Sequence, residues 1–346
     1  MDVFVCAGCG EELTAPLTRL EMPVYGRHSF GHDMLPPLME SGTYAVDPEP
    51  YGRPWRRWAE ITAEEAAVRG LFAPVETLPF GPRGEIVVAP GDTRSTVFVE
   101  GRCDGYCLGV TGGDGPNLAC GGCGAEVATR IDDCSLWQTV RFLPTAVRGR
   151  VVSGPAPARS PATLWRGGPL TEPGGWWDYR WEGEAGHALA HLLAASAGEP
   201  VALPPGLLTE MFGRSLKALL PPGPPARTAG LAGPGLPLTQ PPPDIAFVPR
   251  HTRTGRPWQP PVPTAPVPLA SAVWSALAFP VDPLPRPATD RMPEGVYRDD
   301  PLPPHPWRPF TPDHEVFLHT LARLPAVREP WLRAVYDRAR PHGHPF

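Results

Sequence analysis

The sequence predicts an α+β fold, with a β-rich, zinc-ribbon-like N-terminal domain and an extension of short helices and proline-rich chain. Three observations predict it. Two nearly identical stretches, CAGCGEEL at 6–13 and CGGCGAEV at 120–127, bracket the strand-like part of the chain. All seven cysteines precede residue 135. The 52 prolines and 37 glycines, against 19% charged residues, far exceed ordinary usage, and most of the prolines follow residue 150. A chain of 346 residues has room for two or three domains and at least one real core.

Residues 1–150 read as one cysteine-rich domain. The runs ELTAPLTRLEM, GTYAV, GEIVVAP, STVFVEG and WQTVRFL are short, β-branched or aromatic, and bounded by Gly, Pro or Asp, as strands are. ITAEEAAVRG predicts a helix, with Thr62 as N-cap, Glu64 and Glu65 in the first turn and Gly70 past its end. GPAPARSPA then reads as a linker, opening a small helical and aromatic segment over 151–220. There WWDYRWEG suggests an aromatic strand, GEAGHALAHLLAASAG a helix closed by Gly198, and PGLLTEMFGRSLKALLP a second helix. That second helix has an apolar face of Leu207, Leu208, Met211, Leu216 and Leu220. Residues 221–268 read as a Pro/Gly-rich linker, extended and unable to sustain a helix or a ladder. Over 269–346, LASAVWSALAF, TPDHEVFLHTLARLP and EPWLRAVYDRAR predict three short C-terminal helices. With so little apolar material, these are expected to pack as satellites and not as an independent domain.

Duplication of the knuckle points to metal. A Cys-x-x-Cys-Gly turn supplies two thiolates to one concavity, and its glycine permits the tight bend that brings backbone amides to sulfur. One such half-site cannot close a tetrahedron, so Cys6 and Cys9 need Cys120 and Cys123, giving a four-thiolate zinc site. A local pairing of Cys103 and Cys107 with Cys120 and Cys123 closes a shorter loop. Loop cost grows only logarithmically, however, and the likeness of the knuckles favours the split arrangement. Cys103, Cys107 and Cys134 remain. With His28 or His32 from GRHSFGH they could complete a second site, or they could be core thiols. Left open, that cluster would suit a small zinc metalloenzyme. Its nearest candidate bases, Asp132 and Asp133, are more in keeping with a turn. A dithiol switch is the competing thiol chemistry, but both knuckles precede strand-like residues and not a helix.

Several function classes are excluded or weakened. Lys217 is the only lysine and follows no phosphate-binding loop, which argues against Walker-type nucleotide binding and Schiff-base chemistry. HALAH places His187 and His191 one helical turn apart, but Ala188 stands where a zincin needs Glu, so a partly buried helix face is expected. His314 and His319, five apart, do not share a face closely. RPWRRW interleaves Arg53, Arg56 and Arg57 with Trp55 and Trp58, a pattern that can hold nucleic acid or simply form a surface loop whose tryptophans cover the core. TGGDGPNLAC lacks the carboxylate ladder of a calcium loop and reads as the loop presenting the second knuckle. The net charge of -5 draws the chain to neither nucleic acid nor anionic membrane. MDVFVCAGCG has no basic region followed by an apolar run. A soluble, cytoplasmic protein with reduced cysteines is therefore expected.

MDVFVCAGCG, MESGTYAVDPEP, WRRW, VVAPGDTRSTV and CDGYC…DGPNLAC…ATRIDDCSLWQ resemble an actinobacterial family of cysteine-rich proteins, with paired CxxCG knuckles and unknown function, over residues 1–150. The resemblance implies one cysteine-rich domain and no mechanism. The expected function is a structural-zinc binding module whose partner is a protein. A nucleic-acid-binding ribbon and the open-site metalloenzyme are the alternatives, and no membrane partner is expected.

Overall fold

The computed structural model describes residues 1–105, 107–153, 171, 175–280, 306 and 308–340; the linker sequence GPAPARSPA lies outside them. The fold is mixed α+β, in two compact units: Met1–Thr62, Val75–Leu164 and Thr252–Gly255 form one, and Ala63–Pro74, Trp165–His251 and Arg256–Phe346 the other. No helix among the described residues is long and apolar enough to cross a membrane.

The first unit is built on a seven-stranded sheet in the order β2 (Thr18–Arg19), β3 (Thr43–Val46), β6 (Ile86–Val88), β10 (Thr139–Phe142), β9 (Glu126–Ile131), β8 (Leu118–Cys120), β7 (Thr96–Phe98). Only the β2–β3 pair is parallel. A separate antiparallel ribbon joins β1 (Asp2–Cys6) to β11 (Val147–Val151), with Cys6 opposite Val147. The expected strands at GTYAV, GEIVVAP, STVFVEG and WQTVRFL are present, whereas ELTAPLTRLEM yields only the two residues of β2. Phe4, Leu13, Leu17, Ile86, Val88, Val127, Val140 and Phe142 make one core, and Cys6 and Cys120 belong to it. Strand β1, missed in the sequence, is short and ends in the first knuckle.

RPWRRW is a strand and not a loop: β4 (Trp55–Arg57) pairs antiparallel with β5 (Thr77–Pro79). Trp55 is exposed, so it does not cover the core. Helix α1 (Ala63–Val68) follows Thr62 as expected and ends before Gly70, whose φ of 77° is the left-handed geometry glycine tolerates. The segment after α1 belongs to the second unit. There the Phe72 N–H donates to Ala322 O (2.8 Å) and the Tyr336 hydroxyl to Pro74 O (2.6 Å).

The second unit corrects three expectations. First, residues 221–268 are no linker. They carry β13 (Arg227–Leu231), β14 (Ile245–Pro249) and β15 (Ala265–Leu269), which form a parallel sheet with β12 (Val201–Ala202) in the order β12-β13-β14-β15. Proline is compatible with this ladder because of parity. The Ala265 N–H reaches Asp244 O (2.9 Å), so the odd positions of β15 face β14. Pro266 and Pro268 then place their missing donors on the open edge. Pro249 lies beyond the pairing of β13 with β14, which ends at Phe247. Secondly, WWDYRWEG is no strand. The Asp178 side chain accepts from the Arg180 N–H and caps α2 (Tyr179–Ser196), which ends at Ala197 and Gly198 in left-handed geometry.

Thirdly, the C-terminal helices are not satellites. Trp181, Leu189, Leu192, Phe212, Phe247, Val267 and Phe317 of this unit are all buried, the last of them on a C-terminal helix that packs closely on the helix Tyr179–Ser196. Helices α3 (Leu207–Leu219), α4 (Ser271–Ala278), α5 (His314–Arg323) and α6 (Pro330–Ala339) lie where expected. On α3, Leu208, Met211 and Leu216 are buried, and Phe212 stacks on Phe247 at 5.1 Å. Helix α2 meets α5 so closely that a Cβ at Gly186 would sit 2.3 Å from Asp313 O; only glycine permits that approach.

Candidate metal centre

The two knuckles meet, and they do so with internal two-fold likeness. In the first, the Gly10 N–H donates to Cys6 O (2.9 Å) and the Cys6 N–H to Glu11 O (2.8 Å). In the second, the Gly124 N–H donates to Cys120 O and the Cys120 N–H to Ala125 O, both at 2.8 Å. Gly10 and Gly124 take φ of 82° and 75°, the left-handed step each turn requires. Across the site, Cys6 Sγ lies 3.6 Å from Cys123 Sγ and Cys9 Sγ 3.6 Å from Cys120 Sγ, and all four sulfurs lie within 4.8 Å of one another. A tetrahedron with sulfur about 2.3 Å from its centre has edges of about 3.8 Å. Cys6 and Cys120 face the core, while Cys9 and Cys123 are exposed. The split pairing, not the local one with Cys103 and Cys107, is the arrangement present.

The electrostatics fit a cation better than four free thiols. Burial raises the Cys6 thiol, but the N–H groups of Cys9 and Gly8 and the Cys123 thiol outweigh it, bringing its pKa down to about 7. Cys120 is pushed up by burial despite the Cys123 and Gly122 amides. For Cys9 the Glu11 N–H is the largest influence and lowers the thiol, yet the Cys123 thiol, burial and the Cys6 thiol together carry the net shift upward. Neighbouring thiolates repel, so the four cannot all ionise together without positive charge between them.

A second group gathers His32, Cys107 and Cys134, whose ligand atoms lie within 4.8 Å of one another. The structure selects His32 and not His28, and leaves Cys103 out. Cys134 Sγ donates to Cys107 Sγ at 3.0 Å, and this contact is the main cause pushing the Cys134 thiol up to about 11. Asp133 is buried. Burial opposes its charge, but the N–H groups of Cys134, Leu108 and Gly109 hold its carboxyl below the ordinary range. It is a structural acceptor in a turn, as expected. Asp132 is paired with Arg130 (2.7 Å).

The remaining sequence candidates have structural roles. His187 and His191 are partly buried on α2, their rings 4.7 Å apart, and His187 Nδ1 lies 3.2 Å from Thr320 Oγ1 on α5. Arg56 lies over the Phe80 ring at 4.9 Å and donates to Glu60 O. Sequence reading missed a buried charge cluster altogether. Arg141 donates to Glu85 (2.7 Å) and to Asp47, Arg27 also donates to Asp47, and the Tyr51 ring centroid lies 3.6 Å from the Arg141 guanidinium carbon. Burial raises the Glu85 carboxyl, opposed by Arg141. Two guanidinium groups balance two carboxylates there, so the cluster pins the loop after β3 and is not poised for proton transfer. In the second unit, a cavity of about 310 Å³ is lined by Leu231, Leu236, Trp258 and a series of prolines.

No family model, curated protein or solved structure matches the chain, so its function is argued from this geometry.

Proposed function

We propose that this protein is a structural-zinc binding module: Cys6, Cys9, Cys120 and Cys123 hold zinc in a ribbon-like site that keeps the β-rich unit in shape for a protein partner. The two-fold likeness of the knuckles carries the proposal. Four thiolates complete the coordination shell and leave no position for substrate, which favours a structural metal over a catalytic one. Support for a protein partner comes from the sheet edge beside the second knuckle. Among the described residues strand β7 pairs only with β8, and Val97 and Phe98 on it are 53% and 56% exposed; such an edge suits strand addition. Nucleic acid is less well supported, because Arg56 is already engaged and the net charge is -5.

Elemental mass spectrometry with peptide-resolved thiol labelling tests the metal. Bound zinc, with the thiols at 6, 9, 120 and 123 protected until chelation, is expected. Absence of metal, or disulfides among these four, overturns the proposal. For the partner, pull-downs from the native lysate should recover a protein with the natural chain but not with Val97→Asp/Phe98→Asp. Equal recovery removes β7 from the function.

A further inference from the structure

The pair of sulfurs beside His32, Cys107 exposed and Cys134 half-buried, does not belong to the four-cysteine centre, and the loops bearing it are held by several hydrogen bonds. Cys134 follows β9, and its N–H donates to Asp133 Oδ1 at 2.7 Å. The same oxygen accepts from the Leu108 N–H at 3.1 Å, next to Cys107. One buried carboxylate thus ties together the two cysteine loops. Ser135, at φ 67°, does the same for the histidine loop. Its N–H donates to Asp33 O (2.8 Å), its hydroxyl to Gly31 O (2.7 Å), and its carbonyl accepts from the Phe30 N–H (2.9 Å). The residues on either side of His32 are therefore fastened to the residue after Cys134.

We propose that His32, Cys107 and Cys134 form a second, open metal site, which takes a zinc-class divalent cation with water or a small anion as fourth ligand. Thiolate and imidazole are the donors zinc prefers, and three protein ligands with one open position define an accessible site. Two thiolates neutralise the dication. A core role does not account for the group, because His32 and Cys107 are exposed and Cys134 only half-buried. Hydrogen bonds beside each ligand supply the pre-organisation that a metal site needs from its surroundings. Nothing in the inference depends on the four-cysteine centre.

The test uses the full chain, purified under reducing conditions, equilibrated with zinc and freed of excess. Two zinc per chain are expected. Cys134→Ser and His32→Ala should each lose one equivalent, with the thiols at 6, 9, 120 and 123 still protected and thermal unfolding unshifted. A natural chain holding zinc only at those four thiols, or variants that keep both equivalents, overturns the second site while leaving the first intact. A Cys107–Cys134 disulfide in anaerobically purified protein also overturns it. Cadmium-113 resonance of the natural chain needs no variant: one four-sulfur signal and one mixed sulfur–nitrogen signal are expected, and a single four-sulfur signal refutes the site. Openness is read with cobalt, whose visible bands should shift on adding azide in the natural chain but not in Cys134→Ser. Bands indifferent to azide would show that no exchangeable position exists.

Discussion

In the N-terminal unit the decisive links join residues far apart in sequence, Cys6 to Cys123 and Arg141 to Asp47, whereas the other unit is held by one apolar helix laid on a parallel sheet. The seven-stranded sheet has short strands, several of two to four residues, and two core residues of its unit are thiols of the candidate metal centre. Helix α2 instead buries Trp181, Ala185, Ala188, Leu189, Leu192 and Leu193, so its stability needs no cross-link. Both interiors contain charge, but it is placed differently. Arg141 is bound by carboxylates from two separate loops of the first unit, whereas in the second Arg250 is buried against Glu184 of α2 (2.9 Å) and Arg308, paired with Glu182 of α2 (2.6 Å), keeps 41% of its side chain in water.

The largest effect should come from removing metal. Structural zinc contributes on the order of 10 kcal/mol to the folding of small domains, so chelation or Cys120→Ser should abolish hydrogen-exchange protection in β1, β8 and β9. Amides of α2 and β14 should stay protected. Equal loss in both units would erase the distinction drawn above.

Next in size is Arg141→Ala, which strands Asp47 and Glu85 inside the first unit and should cost about 3–5 kcal/mol; denaturant unfolding followed by exchange in β10 measures it. Phe247→Ala, a cavity under α3, should cost a comparable amount, about 3–5 kcal/mol, but in the second unit and with metal content unchanged.

Acid should weaken the units for different reasons. Burial lowers His191 to about 4, below its unfolded value near 6.5. Its contribution is thus present above pH 6.5 and lost as pH falls through 4. His191→Gln should flatten that loss in the second unit, read by thermal melts between pH 7 and 4, without altering the acid release of metal from the first. Smallest is Pro266→Ala. It restores a donor to the open edge of β15 and should cost about 0.4–1 kcal/mol through the unfolded chain. A concentration-dependent rise in self-association, measured by sedimentation, should accompany it.

Local signals in the sequence were legible wherever the cause was local. Thr62, Gly198 and Asp313 mark helix ends because caps act within one turn, and the Asp313 side chain does accept from the Val316 N–H (2.8 Å). The knuckles were legible because the motif is written twice. Residues 221–268 were misread because composition hides parity: Pro266 and Pro268 break a ladder only if their missing donors face a neighbour. Asp178 was overlooked as a cap beneath the aromatic run before it. The cluster of Arg141, Asp47 and Glu85 has no sequence signature, since its members meet only when β6 and β10 pair. The choice of His32 over His28 similarly depends on Ser135, whose bonds to residues 30–33 cannot be read from spacing.

The sequence separation of 117 from Cys6 to Cys123 also bears on how the chain is made. During synthesis the first knuckle emerges before the second, with its two sulfurs and no counterpart. Everything that forms the seven-stranded sheet up to β8 must leave the ribosome before the second knuckle can follow. On the proposed zinc site, a chain ending early would carry half a chelate, which would bind metal weakly and be stripped by any competing thiol. If the four cysteines hold zinc as proposed, a finished one would close the tetrahedron and keep its ion. The metal would thus act as a seal of completeness, separating full-length N-terminal units from fragments before any partner meets them.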